Sequence, residues 1–471
     1  MRLKYTSLVA LFCVSFYAQS QILTLQDCIE LAIEKNISIK QSELDLVNAE
    51  IDKKNAFGSF LPSVNANSSH SWNIGLNQNI TTGLLENVTT QFSSLGFNMG
   101  VDIYKGLQNV KRLHRSNLAI IAQQYNIANI TENTSILIAN SYLQVMFNKE
   151  FLEVQKSQLE VSKKELERTN VLISAGVLTI ANVFELEATI ASQEQAVIQA
   201  ENNLRIAKIN LAQLLLITDY DNFDVAVENF DIPFPSILEE TPKEIFEKAL
   251  THRNDIKFSL TNLEISKTDI EIAKAALQPS LSAFYSYSTR ISYSDGIERT
   301  GVFEETPIGY VAATGEAVNT NVEQRRVVGP DSFWNQFQMN EGHNFGVQLR
   351  IPILNGLLSK NNLKRSKVNL LRSQNTFEQQ KLNLESDVNQ AYNDALGAYN
   401  FYKAAQKTVI ARGDAYNNAT KRFDAGVMNS FEFTQIKQRY EASVSDELRS
   451  KFDYIFKLKI LEFYFGLKLE I

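Results

Sequence analysis

The 471-residue chain is 44% hydrophobic and 21% charged, the balance of a folded protein and too apolar for a disordered one. Its net charge of -7 excludes nucleic acid as a partner, because phosphate recognition needs a concentrated basic surface. Only 8 prolines and 19 glycines punctuate it, so long unbroken elements are expected, and such length points to helices.

The chain opens on a secretory pattern. Arg2 and Lys4 give a basic start, 8–16 a short apolar core, and Ala18-Gln19-Ser20 small residues for cleavage. Residues 1–20 are therefore assigned to a signal peptide, with the mature chain beginning at Gln21. Phe12 is too bulky to precede a lipidated Cys13, and cleavage leaves Cys28 alone, with no disulfide and no paired-cysteine metal site. No later stretch approaches about 18 consecutive apolar residues, so the exported chain is either a soluble periplasmic protein or an outer membrane barrel.

The mature chain is written twice. A shift of 217 residues lays Leu31-Ala32-Ile33 on Lys248-Ala249-Leu250, Ile39-Lys40 on Ile256-Lys257, and Leu61-Pro62-Ser63 on Gln278-Pro279-Ser280, without a gap. A shift of 250 lays Val101-Asp102-Ile103-Tyr104-Lys105-Gly106-Leu107 on Ile351-Pro352-Ile353-Leu354-Asn355-Gly356-Leu357. The same shift lays Ala175-Gly176-Val177 on Ala425-Gly426-Val427. The offsets differ by 33 residues, which marks an insertion in the second copy, within 294–342. Residues 21–217 thus make one repeat and 243–471 the other, joined by a connecting segment, 218–242.

In chain order, each copy has a helix, two strands and a long helical hairpin. Strands are expected at 60–75 and 93–104, and again at 278–293 and 343–354. Each alternates strictly: Ser63, Asn65, Asn67, Ser69 and Ser71 on one face of the first, and Phe345, Val347, Leu349 and Ile351 on one face of the last. The run lengths suit a tilted strand crossing a bilayer, the small polar faces suit a wet lumen, and Trp72, Tyr285, Tyr287 and Tyr293 suit lipid interfaces. Four strands cannot close a pore, and open edges in lipid would leave backbone groups unsatisfied, so several chains must share the barrel. Residues 75–93 and 295–342, the second punctuated by Gly301, Pro307, Gly309 and Gly329-Pro330, read as extracellular loops.

No proline or glycine interrupts 107–174, which at about 1.5 Å per residue is a helix of about 100 Å. Val145, Leu152, Leu159, Leu166 and Ile173 recur every seventh residue, and Ala395, Tyr402, Val409, Tyr416 and Phe423 repeat the pattern in the second copy. The returning helices carry Val183, Ile190, Val197, Leu204 and Leu211, then Phe433, Tyr440, Tyr454 and Leu461 with Glu447 breaking the row. Sustained period seven is coiled-coil packing. Gly176 and Gly426 sit where helices meet and mark the tips of antiparallel hairpins. Segment 218–242, with Asp219, Asp221 and Asp224, lacks the glycine and distal glutamate of a calcium loop and reads as a solvated band. The four histidines (His70, His114, His252 and His343) are scattered without a catalytic constellation, so no enzyme and no metal site is expected.

Strand pair, following glycine, heptad helix, Ala-Gly-Val tip and returning helix, all duplicated, together resemble the TolC-like outer membrane efflux protein family over residues 23–466. The resemblance implies an internally duplicated α+β membrane protein: a homotrimer with a twelve-stranded barrel in outer membrane lipid and a coiled-coil α-barrel in the periplasm. It implies a passive exit duct for efflux or type I secretion, engaged by a periplasmic adaptor and an inner membrane pump of the RND, ABC or MFS kind, with no cofactor. It implies adaptor contact at the tips, Gly176, Val177, Gly426 and Val427. It also implies a constriction six and nine residues past the second tip glycine, at Glu432 and Gln435, with Asn182 and Glu185 as first-copy counterparts. Glu432 keeps the acidic character of that pattern and Gln435 departs from it. Phe423 and Met428 stand where the family can place polar ties between tips. The competing reading is a periplasmic coiled-coil scaffold without a pore, which shares the heptads but leaves the strands unexplained.

Overall fold

A computed structural model of the chain describes residues 22–78, 83–176, 179–226 and 236–467. The expected signal peptide and Val177 lie outside the described residues. The first copy runs β1 (Ile22–Leu23), α1 (Leu25–Lys35), α2 (Ile37–Gly58), β2 (Ser63–Gln78), β3 (Leu85–Lys105), α3 (Gln108–Ser174) and α4 (Ala181–Leu214). After β4 (Asp224–Val225) and a 3-10 turn (Ser236–Glu239) come α5 (Pro242–His252), α6 (Asn254–Ala275), β5 (Ser280–Ser292), β6 (Gly296–Tyr310), β7 (Ala317–Val328), α7 (Phe333–Met339), β8 (Gly342–Arg350), α8 (Leu358–Asp424) and α9 (Ser430–Phe465).

The duplication reaches individual hydrogen bonds. In α1 the Thr24 hydroxyl accepts from Asp27 N while the Asp27 carboxylate accepts from Thr24 N. In α5, Thr241 and Glu244 make the same reciprocal box 217 residues on. Each box satisfies two otherwise unpaired donors of a helix start. Both long helices, α3 and α8, are 67 residues. Each is entered through two successive left-handed residues, Gly106 and Leu107 (φ +61° and +63°) or Gly356 and Leu357 (+61° and +65°).

Two compact units emerge. One gathers 51–117 and 266–370. Its main sheet has the order β2-β3-β5-β8, antiparallel throughout, with β2 and β8 as open edges. The sheet's apolar face is exposed in the chain, with Phe345 76%, Val347 68% and Leu349 61% accessible. The strand ends differ from expectation. β2 and β3 run on to Gln78 and from Leu85, paired to the end (Gln78 with Leu85). There Ile74 and Leu76 keep the alternation of β2, but Thr89 and Asn87 opposite them are polar, so the apolar face of β3 ends while the backbone ladder continues. The expected loop 295–342 is also structured: β6 and β7 form a separate antiparallel pair whose irregular steps flank Gly301 and follow Pro307. α7 docks on β5 through Gln336, whose amide donates to Ser292 O (2.9 Å) and accepts from Ser292 N (2.8 Å). The glycines and prolines of this insertion thus include bulge residues.

The other unit gathers the remaining helical segments, 22–50, 118–265 and 371–467 among the described residues. One core packs Tyr142, Val145 and Met146 of α3 against Leu211 of α4, Cys28 and Ala32 of α1, and Phe452 and Ile455 of α9. A second packs Val388, Ala395 and Tyr402 of α8 against Ile245 and Ala249 of α5 and Tyr454, Leu458 and Leu461 of α9. Every residue of the four heptad rows is buried or half-buried. The segment after α4 is less solvated than its aspartates suggest. Phe223 and Val225 enter the first core, β4 pairs in parallel with β1, and Asp224 binds Lys149 (2.6 Å) and Lys208 (3.0 Å). Among the described residues no helix is long and apolar enough to cross a membrane.

Candidate functional site: the helical hairpin tips

At the first tip α3 ends at Ser174, and Gly176 (φ +76°) turns the chain, its N–H donating to Ile173 O. At the second, Gly426 (φ +72°) donates to Phe423 O and Val427 donates to Arg422 O, so these two carbonyls of the last turn of α8 are satisfied. The Asn429 side chain then caps α9 by accepting from Glu432 N (2.8 Å). A cap at Asn429 places Glu432 in the first turn and Gln435 three residues on, along one exposed face. Glu185, on the second turn of α4, is exposed as well. Asn182 is not free in the same way: Ser430 Oγ donates to its Oδ1 at 2.6 Å, and the residue is half-buried. Of the four expected constriction residues, Glu432 and Gln435 share a face, Glu185 stands on the other hairpin, and Asn182 ties the two hairpins together.

The positions expected to carry polar ties are apolar in fact as well as in sequence. Phe423 stacks on Phe433 at 4.7 Å, and Met428 is buried beside Phe433 and Ala419. The polar ties lie elsewhere, in Ser430 with Asn182 and in the Arg168–Asp424 ion pair between α3 and α8.

Deeper in the same bundle is a cluster that heptad spacing did not reveal. Lys437 of α9 is 4% exposed; its Nζ donates to Ser162 Oγ (2.8 Å) and to Glu165 (2.9 Å) on α3, with Glu441 3.9 Å away. Gln193 of α4 donates to Glu441 (3.2 Å), so three helices meet on one ammonium and two carboxylates. Burial pushes the Glu441 carboxyl above the ordinary carboxylate range, and Lys437 opposes that shift. Tyr416, stacked on Tyr440 at 5.3 Å, is likewise pushed up by burial. The signal was present: Lys437 stands four residues after Phe433 and three before Tyr440, on the apolar stripe of α9, where a lysine needs a partner.

The family model described as "Outer membrane efflux protein" matches residues 28–215 and again 245–455. A pyoverdine export outer membrane protein of Pseudomonas aeruginosa, OpmQ, is 27% identical over 190 residues. That alignment covers 40% of this chain and 39% of the relative, so the match spans well under two thirds of that protein's length. The fold is similar to that of CusC, with a TM-score of 0.75 at 16% identity over 94% of this chain and 92% of the other. It is also similar to the outer membrane protein VceC of Vibrio cholerae, with a TM-score of 0.73 at 14% identity over 95% and 97%.

Proposed function

Because the chain belongs to the outer membrane efflux protein family, we propose that it is the exit duct of a tripartite efflux or type I secretion system, working as a homotrimer. Its strands lodge in the outer membrane and its helices lie in the periplasm. The observation that carries this reading is the four-stranded antiparallel sheet with an exposed apolar face and two open edges. In water such a face would drive aggregation, and in lipid such edges are intolerable until paired. Three copies give about twelve strands, enough to enclose a water-filled passage.

The tips at Gly176, Val177, Gly426 and Val427 meet a periplasmic adaptor, and an RND, ABC or MFS pump supplies the energy. The chain contributes a passive path, and selection of the cargo falls to the pump. Glu432 forms a ring of three carboxylates near the closed end. Gln435 supplies a neutral ring beside it, so the constriction has one charged girdle. Conductance in planar bilayers tests the proposal: protein extracted in detergent should insert and conduct in trimer-sized steps. A water-soluble, non-conducting assembly would overturn it and favour a periplasmic scaffold.

A further inference from the structure

The duplication preserves strand register as well as sequence. Ser63 pairs with Gly100 across β2 and β3; adding 217 to the first and 250 to the second gives Ser280 and Arg350, which are paired across β5 and β8. The same operation applies to the third seam, β3 with β5, which joins the second strand of one copy to the first strand of the next. Its image joins β8 to β2, and no such pair exists among the described residues.

The shared barrel proposed above sets β8 of one protomer against β2 of the next; we infer that this joint keeps the register of the β3–β5 seam and that Arg365 and Asp52 form an ion pair across it. The inference rests on the trimer proposed above and specifies how its subunits interlock. Val101 pairs with Ala283, so Ile351 meets Ala66 of the neighbouring copy; Asn98 pairs with Ser286, so Gln348 meets Ser69.

The chemistry of the seam carries over with the numbers. Ser286 Oγ donates to Asn98 at 2.8 Å, and the image is again a serine facing a side-chain amide. Arg115 of α3 pairs with Asp269 of α6 at 2.6 Å, and the image is Arg365 with Asp52. Both image residues are exposed and neither has an ion-pair partner among the described residues. Gly106 lies so close to α6 that a Cβ would stand 2.5 Å from Ala275 O. Gly356 has the same φ of +61° and open space around it, because the backbone it approaches, at Gly58, belongs to another copy. Where the seam differs, it differs on both sides: Tyr104 donates to Gln278 at 2.7 Å, and the images are Leu354 and Leu61, both exposed apolar residues. The image also explains why β8 stops at Arg350 although its sequence alternates further. The corresponding residues of β3, beyond Gly100, pair only with β5, and the counterpart of β5 is on the neighbour.

Cysteine pairs in the full-length protein test the register, since a disulfide forms only between directly opposed Cβ atoms. Ser69→Cys/Gln348→Cys should give covalent dimers and trimers on a denaturing gel under mild oxidation. The slipped pair Ser71→Cys/Gln348→Cys should remain monomeric there. Linking by the slipped pair, or by neither pair in a protein that is trimeric by native mass, overturns the register. A native mass other than a trimer overturns the proposed assembly instead. For the ion pair, Asp52→Arg or Arg365→Asp alone should shift the trimer–monomer equilibrium roughly tenfold toward monomer over three equivalent joints. The double exchange Asp52→Arg/Arg365→Asp should restore it, and single variants indistinguishable from the native protein would remove the pair.

Discussion

Replacing Lys437 by methionine keeps the length of the side chain and deletes one charge from the buried cluster. At an effective dielectric near 20, Lys437 attracts Glu165 at 2.9 Å by about 6 kcal/mol and Glu441 at 3.9 Å by about 4 kcal/mol. Desolvation of the ammonium offsets most of that. What remains is the cost of two carboxylates left 12% and 14% exposed without a counter-ion, about 3–5 kcal/mol. With an unfolding entropy near 2.1 cal/mol/K per residue over the roughly 300 residues of the helical unit, a 4 kcal/mol loss lowers Tm by about 6 °C. The deficit has a definite pH dependence. Glu441 already titrates above its ordinary range because of burial, so its ionisation works against folding. That penalty is absent below the ordinary carboxylate pKa and complete above the raised one. Removing Lys437 takes away the charge opposing the shift, so Lys437→Met should melt well below the native protein near pH 8 and recover most of the difference near pH 5. Circular dichroism melts of the detergent-solubilised protein measure both. A Lys437→Met variant that melts like the native protein near pH 8, or shows the same deficit at both values, refutes the reasoning.

In planar bilayers, Glu432→Ala should lower cation selectivity and blunt block by divalent ions. At about 8 Å separation each pair in the ring repels by about 0.5 kcal/mol in water and about 2 kcal/mol at an effective dielectric near 20, and unchanged selectivity would place Glu432 away from the constriction. Gly106→Ala should destabilise the protein by more than Gly426→Ala. Both force a side chain into a left-handed residue, about 1–2 kcal/mol, but only the first also drives a Cβ into a backbone oxygen, and comparative melts should rank them so. Burial alone raises the Asp224 carboxyl, but hydrogen bonds from Lys149 and Lys208 outweigh it and hold the group below its ordinary value. Its contribution to stability is therefore full above that ordinary value and lost on acidification. Asp224→Asn should cost about 1–2 kcal/mol at neutral pH, and the gap to the native protein should shrink on acidification below the ordinary carboxylate range, as urea unfolding at neutral and acid pH would reveal.

The elements legible in the sequence were those with a period. Seven-residue spacing exposed the helices from Val145 to Ile173 and from Ala395 to Phe423, and two-residue alternation exposed the four membrane strands. Legibility failed where a partner, rather than a pattern, decides the outcome. Asn87 and Thr89 are polar where the alternation of β3 calls for apolar residues and still stay in the ladder, because the strand opposite continues. β8 stops at Arg350, although Ile351 and Ile353 keep the alternation, because no strand among the described residues stands on its open side. At the tips the glycines were readable from their spacing. The Ser430–Asn182 tie and the Lys437 cluster were not, since each joins residues 248 or more positions apart.

The equal 67-residue lengths of α3 and α8 have a consequence for how such a chain can change over time. Deleting one residue from a helix rotates everything beyond it by about 100°, which turns a buried stripe toward solvent. A single-residue deletion in either rod therefore moves every seam residue on one side of the cut out of phase with its neighbours. The tolerated unit of change is a heptad, removed or added in both rods and both returning helices together. The strand-to-strand connections face no such constraint, and the second copy has accepted 33 extra residues there. Divergence in length is thus channelled to the strand connections, which can drift freely, while the helices evolve in concert or not at all.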